Sequence, residues 1–294
     1  MIKRFGQWLK KYFIPHEHND HQPHILRTET TLLILAIVLF IEVGFLTQIL
    51  VFSRTNLFAL ILSNVLIGET NDNRQSENIP SLNENPLLDA AAKMKAEDMA
   101  EKEYFAHTSP DGTEPWYWLK RVGYDYSYAG ENLAINFFDS EDVIKAWLNS
   151  PTHRQNILNP KFTEIGIATA KGTYEGRETV FIVQMFGRPA EIQAPVPPPI
   201  ASEVAGIGPV LSATTKASGA SALTQKAIAS PKTTVNYFYA ILIFIISLAL
   251  ILNIFIKVKI QHPKLILNAV ILLLLINAAL LLNHYLSLAN TKVL

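Results

Sequence analysis

The sequence predicts an α+β domain joined to about three transmembrane α-helices. Two long uncharged stretches, an acidic middle section and the order of hydrophobic periodicities carry that expectation. Only 17% of the 294 residues are charged, against about 25% in an ordinary soluble domain. The deficit is local: the 24 residues from Thr233 to Ile256 and the 27 from Leu265 to Thr291 hold no Asp, Glu, Lys or Arg. A bilayer core of about 30 Å needs about 20 helical residues, and a soluble core needs no such run. The net charge of zero hides an acidic segment, 84–188, with 16 acidic and 11 basic side chains. No basic patch interleaves with aromatics, which excludes nucleic acid as a partner. The absence of cysteine excludes a disulfide scaffold, a zinc ribbon and a thiol enzyme.

Residues 1–30 read as a cytoplasmic basic and His-rich tail, with Lys3, Arg4, Lys10, Lys11 and Arg27 ahead of the first apolar run. His16-Glu-His-Asn-Asp-His-Gln-Pro-His24 gathers four histidines in nine residues. Its irregular spacing favours a polar juxtamembrane tail over a metal site. Residues 31–68 form a signal-anchor helix with a juxtamembrane extension. Thr31 to Phe52 is too long for a cleaved signal peptide, and Asn56 to Ile67 is too short to span alone. Glu42, near the centre of the first run, costs about 3 kcal/mol on insertion scales and calls for a facing helix or polar cavity. Residues 69–83 read as a polar linker.

Within 84–188, Asn85-Pro86 starts a helix. Leu88, Ala92, Ala96 and Met99 recur at helical spacing through about Tyr104. His107-Thr-Ser-Pro-Asp-Gly112 is a turn, and Pro115 to Val122 a short helix ended by Gly123. Tyr124 to Phe138 is punctuated by glycine and aromatics. Ser140 caps a third helix whose stripe is Val143, Ile144, Trp147 and Leu148, and Ser150-Pro151 opens another turn with His153. Glu164 to Thr169 and Thr179 to Phe186 form a hairpin. Residues 189–232 are a Pro/Ala/Ser-rich linker. Residues 233–257 and 265–289 are transmembrane helices, in which Asn268 and Asn277 are candidates for interhelical hydrogen bonds. Residues 258–264 make a loop between them. The lysines around that loop place it in the cytoplasm with the N-terminal tail. The acidic domain then lies on the extracytoplasmic side of a multi-pass cell-membrane protein.

Four ordered motifs point to a family: Tyr104-Phe-Ala-His-Thr-Ser-Pro-Asp-Gly112, Gly130-Glu-Asn-Leu-Ala134, Ala146-Trp-Leu-Asn-Ser-Pro-Thr-His-Arg-Gln-Asn-Ile-Leu158 and Thr163-Glu-Ile-Gly-Ile167. Together they resemble the CAP (SCP-like) superfamily in its bacterial, disulfide-free form. The resemblance implies an α-β-α sandwich, usually extracellular, with a central cleft faced by His107 and Glu131. Animal and plant members add a glutamate and a histidine at positions that here are Ser150 and Phe181, so their four-residue cleft is incomplete. As in bacterial relatives, His153 stands as the second histidine.

The candidate cleft residues are therefore His107, Glu131, His153, Asn132 and Ser150, with His107 and His153 as candidate metal ligands. Two imidazoles and a carboxylate can bind a divalent metal, act as acid and base, or hold a polar ligand. No His-Glu-x-x-His helix or Gly-x-Ser-x-Gly elbow specifies catalysis, and no cofactor is indicated beyond that divalent metal. Ser109 reads as a turn-capping hydroxyl, Trp147 as core, and Asn132 as a tie between its loop and the backbone. The leading expectation is a membrane-anchored module binding a cell-envelope component, a lipid or a protein. A hydrolase of peptide or envelope polymer using the same cleft, with His107 or His153 as base, is the alternative, and a structural tether docking a protein partner is another.

Overall fold

The computed structural model describes residues 2–51, 55–190, 219–256, 260–288 and 291–294. The core of the 189–232 linker and two lysines of the 257–264 loop, Lys257 and Lys259, lie outside the described residues. In chain order the helices are α1 (Ile2–Phe13), α2 (Thr28–Leu50), α3 (Asn56–Ser76), α4 (Pro86–Glu101), α5 (Trp116–Arg121), α6 (Ser140–Asn149), α7 (Pro151–Ile157), α8 (Gly219–Ala229), α9 (Pro231–Ile256) and α10 (Pro263–Leu288). The strands are β1 (Asn83–Glu84), β2 (Tyr126–Ile135), β3 (Glu164–Tyr174), β4 (Arg177–Pro189) and β5 (Lys292–Val293). They divide into two compact units, Met1–Thr55 with Phe137–Asp139 and Ser230–Thr291, and Asn56–Asn136 with Ser140–Ala229 and Lys292–Leu294.

Among its described residues the first unit contains three helices long and apolar enough to cross a membrane. They touch through Val38 of α2, Tyr239, Ile246 and Ala249 of α9, and Leu265, Ala269, Leu272 and Ile276 of α10. Phe40, Phe244 and Leu274 lie on their exposed faces, as side chains solvated by lipid tails do. Glu42 is not left alone in this bundle. Tyr239 Oη donates to its Oε1 at 2.8 Å and Asn283 Nδ2 at 3.3 Å. Of the two expected interhelical asparagines, Asn268 does cross, donating to Thr28 Oγ1 at 3.2 Å. Asn277 instead donates to Leu273 of its own helix at 2.8 Å, because it lies on an exposed face. The histidine cluster is wound into two 3₁₀ turns, Glu17–Asn19 and His24–Leu26.

The second unit is a five-stranded sheet in the order β1-β3-β4-β2-β5, with helices on both faces. Strand alternation sends Phe181, Val183 and Met185 of β4, with Leu133 and Ile135 of β2, into a core under α4. Ala91, Ala92 and Ala96 of α4 are small enough to bring that helix onto the sheet. At Gly166 of β3 a Cβ would meet the Asp89 nitrogen at 2.3 Å, so only glycine allows the approach. The β3–β4 hairpin turns through Glu175 (φ 52°) and Gly176 (φ 73°), the left-handed pair that a tight two-residue hairpin needs.

Three segments depart from the sequence reading, one of them Gly219–Ala229, which is helical (α8) within the stretch read as a Pro/Ala/Ser-rich linker. Tyr124 to Phe138 is not merely punctuated loop: Tyr126–Ile135 is a full strand, paired along its length with β4. Its Gly-Glu-Asn run hides the alternation, and Gly130 is required because a Cβ there would lie 2.7 Å from Phe162 Cζ. The polar stretch from Glu69, read as a linker, is helical through Ser76. Arg74 explains this: at 1% exposure it donates to the carbonyls of Pro80, Ile157 and Asn159 at 2.8 to 2.9 Å. Thus α3 packs on the sheet face opposite α4.

Candidate functional site

The site is built on β2 and on the loop that follows α4. Asn85 starts α4 as expected, its Oδ1 accepting from Leu87 N at 2.9 Å. Down the apolar face of that helix, among Leu88, Ala92 and Met99, stands Lys95, fully buried. Its ammonium donates three hydrogen bonds, to Tyr104 Oη at 2.9 Å, the Ala106 carbonyl at 2.8 Å and the His107 carbonyl at 2.7 Å. That uses every donor an ammonium has. Burial lowers the Lys95 pKa, while the Glu131 and Asp98 charges oppose the shift. The same loop is tied again to α4 through Asp98, which accepts from Tyr104 Oη at 2.6 Å and Ser109 Oγ at 2.9 Å. Ser109 is buried in this network and serves the turn.

The loop thereby presents His107 to Glu131. His107 Nδ1 and Glu131 Oε1 are 2.6 Å apart, with the imidazole side chain 45% exposed and the carboxylate side chain 1% exposed. The imidazole donates this bond when Nδ1 carries the proton, and the carboxyl donates it when the proton sits on Oε1. Glu131 Oε2 is buried and has no hydrogen-bond partner among the described residues. Burial pushes the Glu131 pKa up, and the His107 hydrogen bond and the Lys95 charge only partly offset this. A buried carboxyl with one free oxygen is costly and marks a place where a ligand or proton is expected. The pair opens onto a cleft of about 390 Å³ lined also by Glu114, Pro115, Trp116, Gly130 and Asn156, in the size range of small-molecule sites, about 300–1,000 Å³. A second depression of about 350 Å³ shares Glu114 and Trp116 and adds Tyr117, Lys120 and Tyr126.

Asn132, next in sequence, leaves β2 on the other face. Fully buried, it donates to Gln184 Oε1 at 2.9 Å and accepts from Asn156 Nδ2 at 2.9 Å. Gln184 in turn donates to Thr70 Oγ1 on α3 at 2.9 Å. These amides lock α3, α7 and the sheet together. His153 on α7 is 6% exposed. Its Nδ1 lies 2.7 Å from Ser150 Oγ, and the ring also hydrogen-bonds the Leu294 backbone. Burial lowers the His153 pKa, with a further lowering from the His107 charge against the opposing Leu294 bond. The structure therefore brings His107 and Glu131 into direct contact and engages His153 and Ser150 with each other. Trp147 is core, its indole N–H donating to the Leu133 carbonyl at 3.0 Å.

The donors do not fit a resident metal. Among the described residues no group of three or more His, Cys, Asp or Glu side chains is placed to hold one. His153 is already committed to Ser150 and Leu294. Lys95, Asn156 and Gln184 were missed as site residues in the sequence. Only Lys95 left a signal, a lysine on the apolar stripe of a helix.

Residues 67–186 match the family described as "CAP: Cysteine-rich secretory protein family". The uncharacterized protein YkwD of Bacillus subtilis is 44% identical over 98 residues, which are 33% of this chain and 38% of that protein. The uncharacterized membrane protein YlbC of the same organism is 35% identical over 79 residues, 27% of this chain and 23% of that protein. The chain thus spans well under half the length of these two relatives. A crystal structure of an extracellular protein containing a SCP domain from Bacillus anthracis aligns at 31% identity and a TM-score of 0.38, covering 43% of this chain and 40% of that one.

Proposed function

From the CAP domain that residues 67–186 carry, we propose a membrane-anchored, extracytoplasmic binding module whose ligand is a hydroxyl-bearing component of the cell envelope. The observation that carries this reading is the buried, unpartnered Oε2 of Glu131, a residue that lines the His107 cleft. It calls for a donor from the ligand, and His107 on the open side holds the other carboxyl oxygen in place. Trp116 and Tyr126, with ring centroids 6.2 Å apart and planes tilted by 44°, supply aromatic surface along the adjoining depression. Two depressions meeting at Trp116 suit an elongated ligand better than a compact one. An envelope saccharide offers both the hydroxyl donors and the apolar ring face.

The membrane-facing half of the reading rests on the three apolar helices and the basic residues that flank them. Lys3, Arg4, Lys10, Lys11 and Arg27 precede α2, Lys257 and Lys259 follow α9 in sequence, and Lys264 is in the first turn of α10. Short basic segments resist translocation, which puts both on the cytoplasmic side and the CAP domain outside. A relative described as a membrane protein accords with the membrane association. Glycan and peptide fragments from a digested envelope, offered to the full chain in nanodiscs, test the cleft. Binding that disappears in Glu131→Gln supports the proposal, and equal binding by both proteins overturns it.

A further inference from the structure

The geometry points to the edge of β2 away from β4, beside His153, as a site for an extended peptide, with residues 292–294 of this chain as its tethered occupant. β4 takes one edge of β2. The other edge is met by β5 in antiparallel register, with Ala134 opposite Val293 and Ile135 opposite Lys292. Leu294 and Leu133 exchange both main-chain bonds, Leu133 N to Leu294 O at 2.9 Å and Leu294 N to Leu133 O at 3.0 Å. His153, held by Ser150, hydrogen-bonds the Leu294 backbone from the side. Lys292 Nζ reaches Glu175 Oε1 at 3.1 Å and lies 5.0 Å from the centre of the Tyr174 ring.

These are the parts of strand-addition recognition: main-chain bonds for affinity and side contacts for choice. Recognition here falls on the backbone, on the carbonyl beside His153 and on a basic residue two positions earlier. The Leu294 side chain itself is 39% exposed and fills no pocket. A two-residue strand held by so few bonds belongs to the least stable part of a fold, so the occupant is exchangeable. A peptide keeping this register and running two residues past the position of Leu294 lies opposite Glu131. A bound peptide would therefore pass from the His153 end to the His107 cleft. The segment 292–294 acts as a strap over that path, with the advantage of a tethered ligand at a roughly millimolar effective concentration.

The test uses the full chain in nanodiscs and a fluorescein-labelled Thr-Lys-Val-Leu-Ala-Ala amide as probe. Leu294→Pro removes the amide that donates to Leu133. Backbone exchange across 131–135 is expected to rise about tenfold, and the probe to bind about tenfold tighter than to the wild type, as loss of the main-chain pair implies. Adding His153→Ala to Leu294→Pro is expected to return binding to the wild-type level. Unchanged exchange and unchanged probe binding in Leu294→Pro overturn the proposal, as does equal binding with and without His153. Where the β3–β4 amides also lose protection in Leu294→Pro, Lys292→Glu, which turns the Glu175 contact into a repulsion, takes its place with the same two readings. Glu131→Gln does not enter this test, so its outcome is separate from that of the saccharide reading.

Discussion

Glu131 and Asn132 are consecutive on β2 and leave it on opposite faces, one to meet His107 at 2.6 Å and the other to meet Gln184 at 2.9 Å. A single dipeptide thus supplies the titratable group of the cleft and the amide that fastens the strand to the layer behind it. The period of two along a strand enforces this division. The carboxyl can be exchanged without touching the packing, whereas the amide cannot.

Glu131→Gln is the first consequence. Burial raises the Glu131 pKa, so the native state holds this proton more tightly than the unfolded chain. Stability from this group is complete below the ordinary carboxylate range and is lost as pH rises through the raised value. Glutamine keeps the acceptor for His107 and removes the titration. The Tm of the variant, relative to wild type, is expected to climb from pH 4 to pH 8. A difference that is flat with pH contradicts this.

Asp89 adds a second titration of the same sign. Burial pushes its carboxyl up to about 6, although the bond from Ile167 N works against that. Stability contributed by this group is full below about pH 4 and falls as pH rises to about 6. Asp89→Asn is expected to flatten that part of the stability–pH curve. The carboxyl carbon resonance of Asp89, followed by NMR, reports the midpoint directly.

Lys95→Met is expected to destabilise the second unit by about 3 kcal/mol, since it leaves two carbonyls and the Tyr104 hydroxyl without their buried donor. Urea unfolding measures the loss. Amide exchange in 104–108 is expected to quicken more than in β3 and β4, because Lys95 holds the loop that presents His107.

Arg74→Met is expected to cost about 3 kcal/mol through the carbonyls it abandons. A fragment beginning at Asn56 is expected to fold, and one beginning at Glu84 to unfold at much lower urea concentration. Equal stability of the two fragments would return α3 to the status of a connector.

The helices of the second unit were largely legible because each carries its own punctuation. Asn85-Pro86 opens α4, Gly123 (φ 78°) closes α5, and Ser150-Pro151 opens α7. The site was legible in part. His107 and Glu131 sit in ordered motifs, and the structure joins them. What stayed hidden depends on contacts distant in sequence. Arg74 reaches Asn159 across 85 positions, and Gln184 reaches Thr70 across 114. β2 was hidden because its Gly130 answers to Phe162 rather than to any local preference. The pairing of Lys292 and Val293 with β2 left no trace in the pattern of either segment.

The most direct test of the cleft is a calorimetric titration of the full chain in nanodiscs with purified envelope glycan fragments, repeated on Glu131→Gln. Saturable binding by the wild type is expected, with a loss of about tenfold to a hundredfold in the variant, where an amide donor replaces the free acceptor oxygen. Binding of the same strength in both proteins, or none by the wild type, would contradict it.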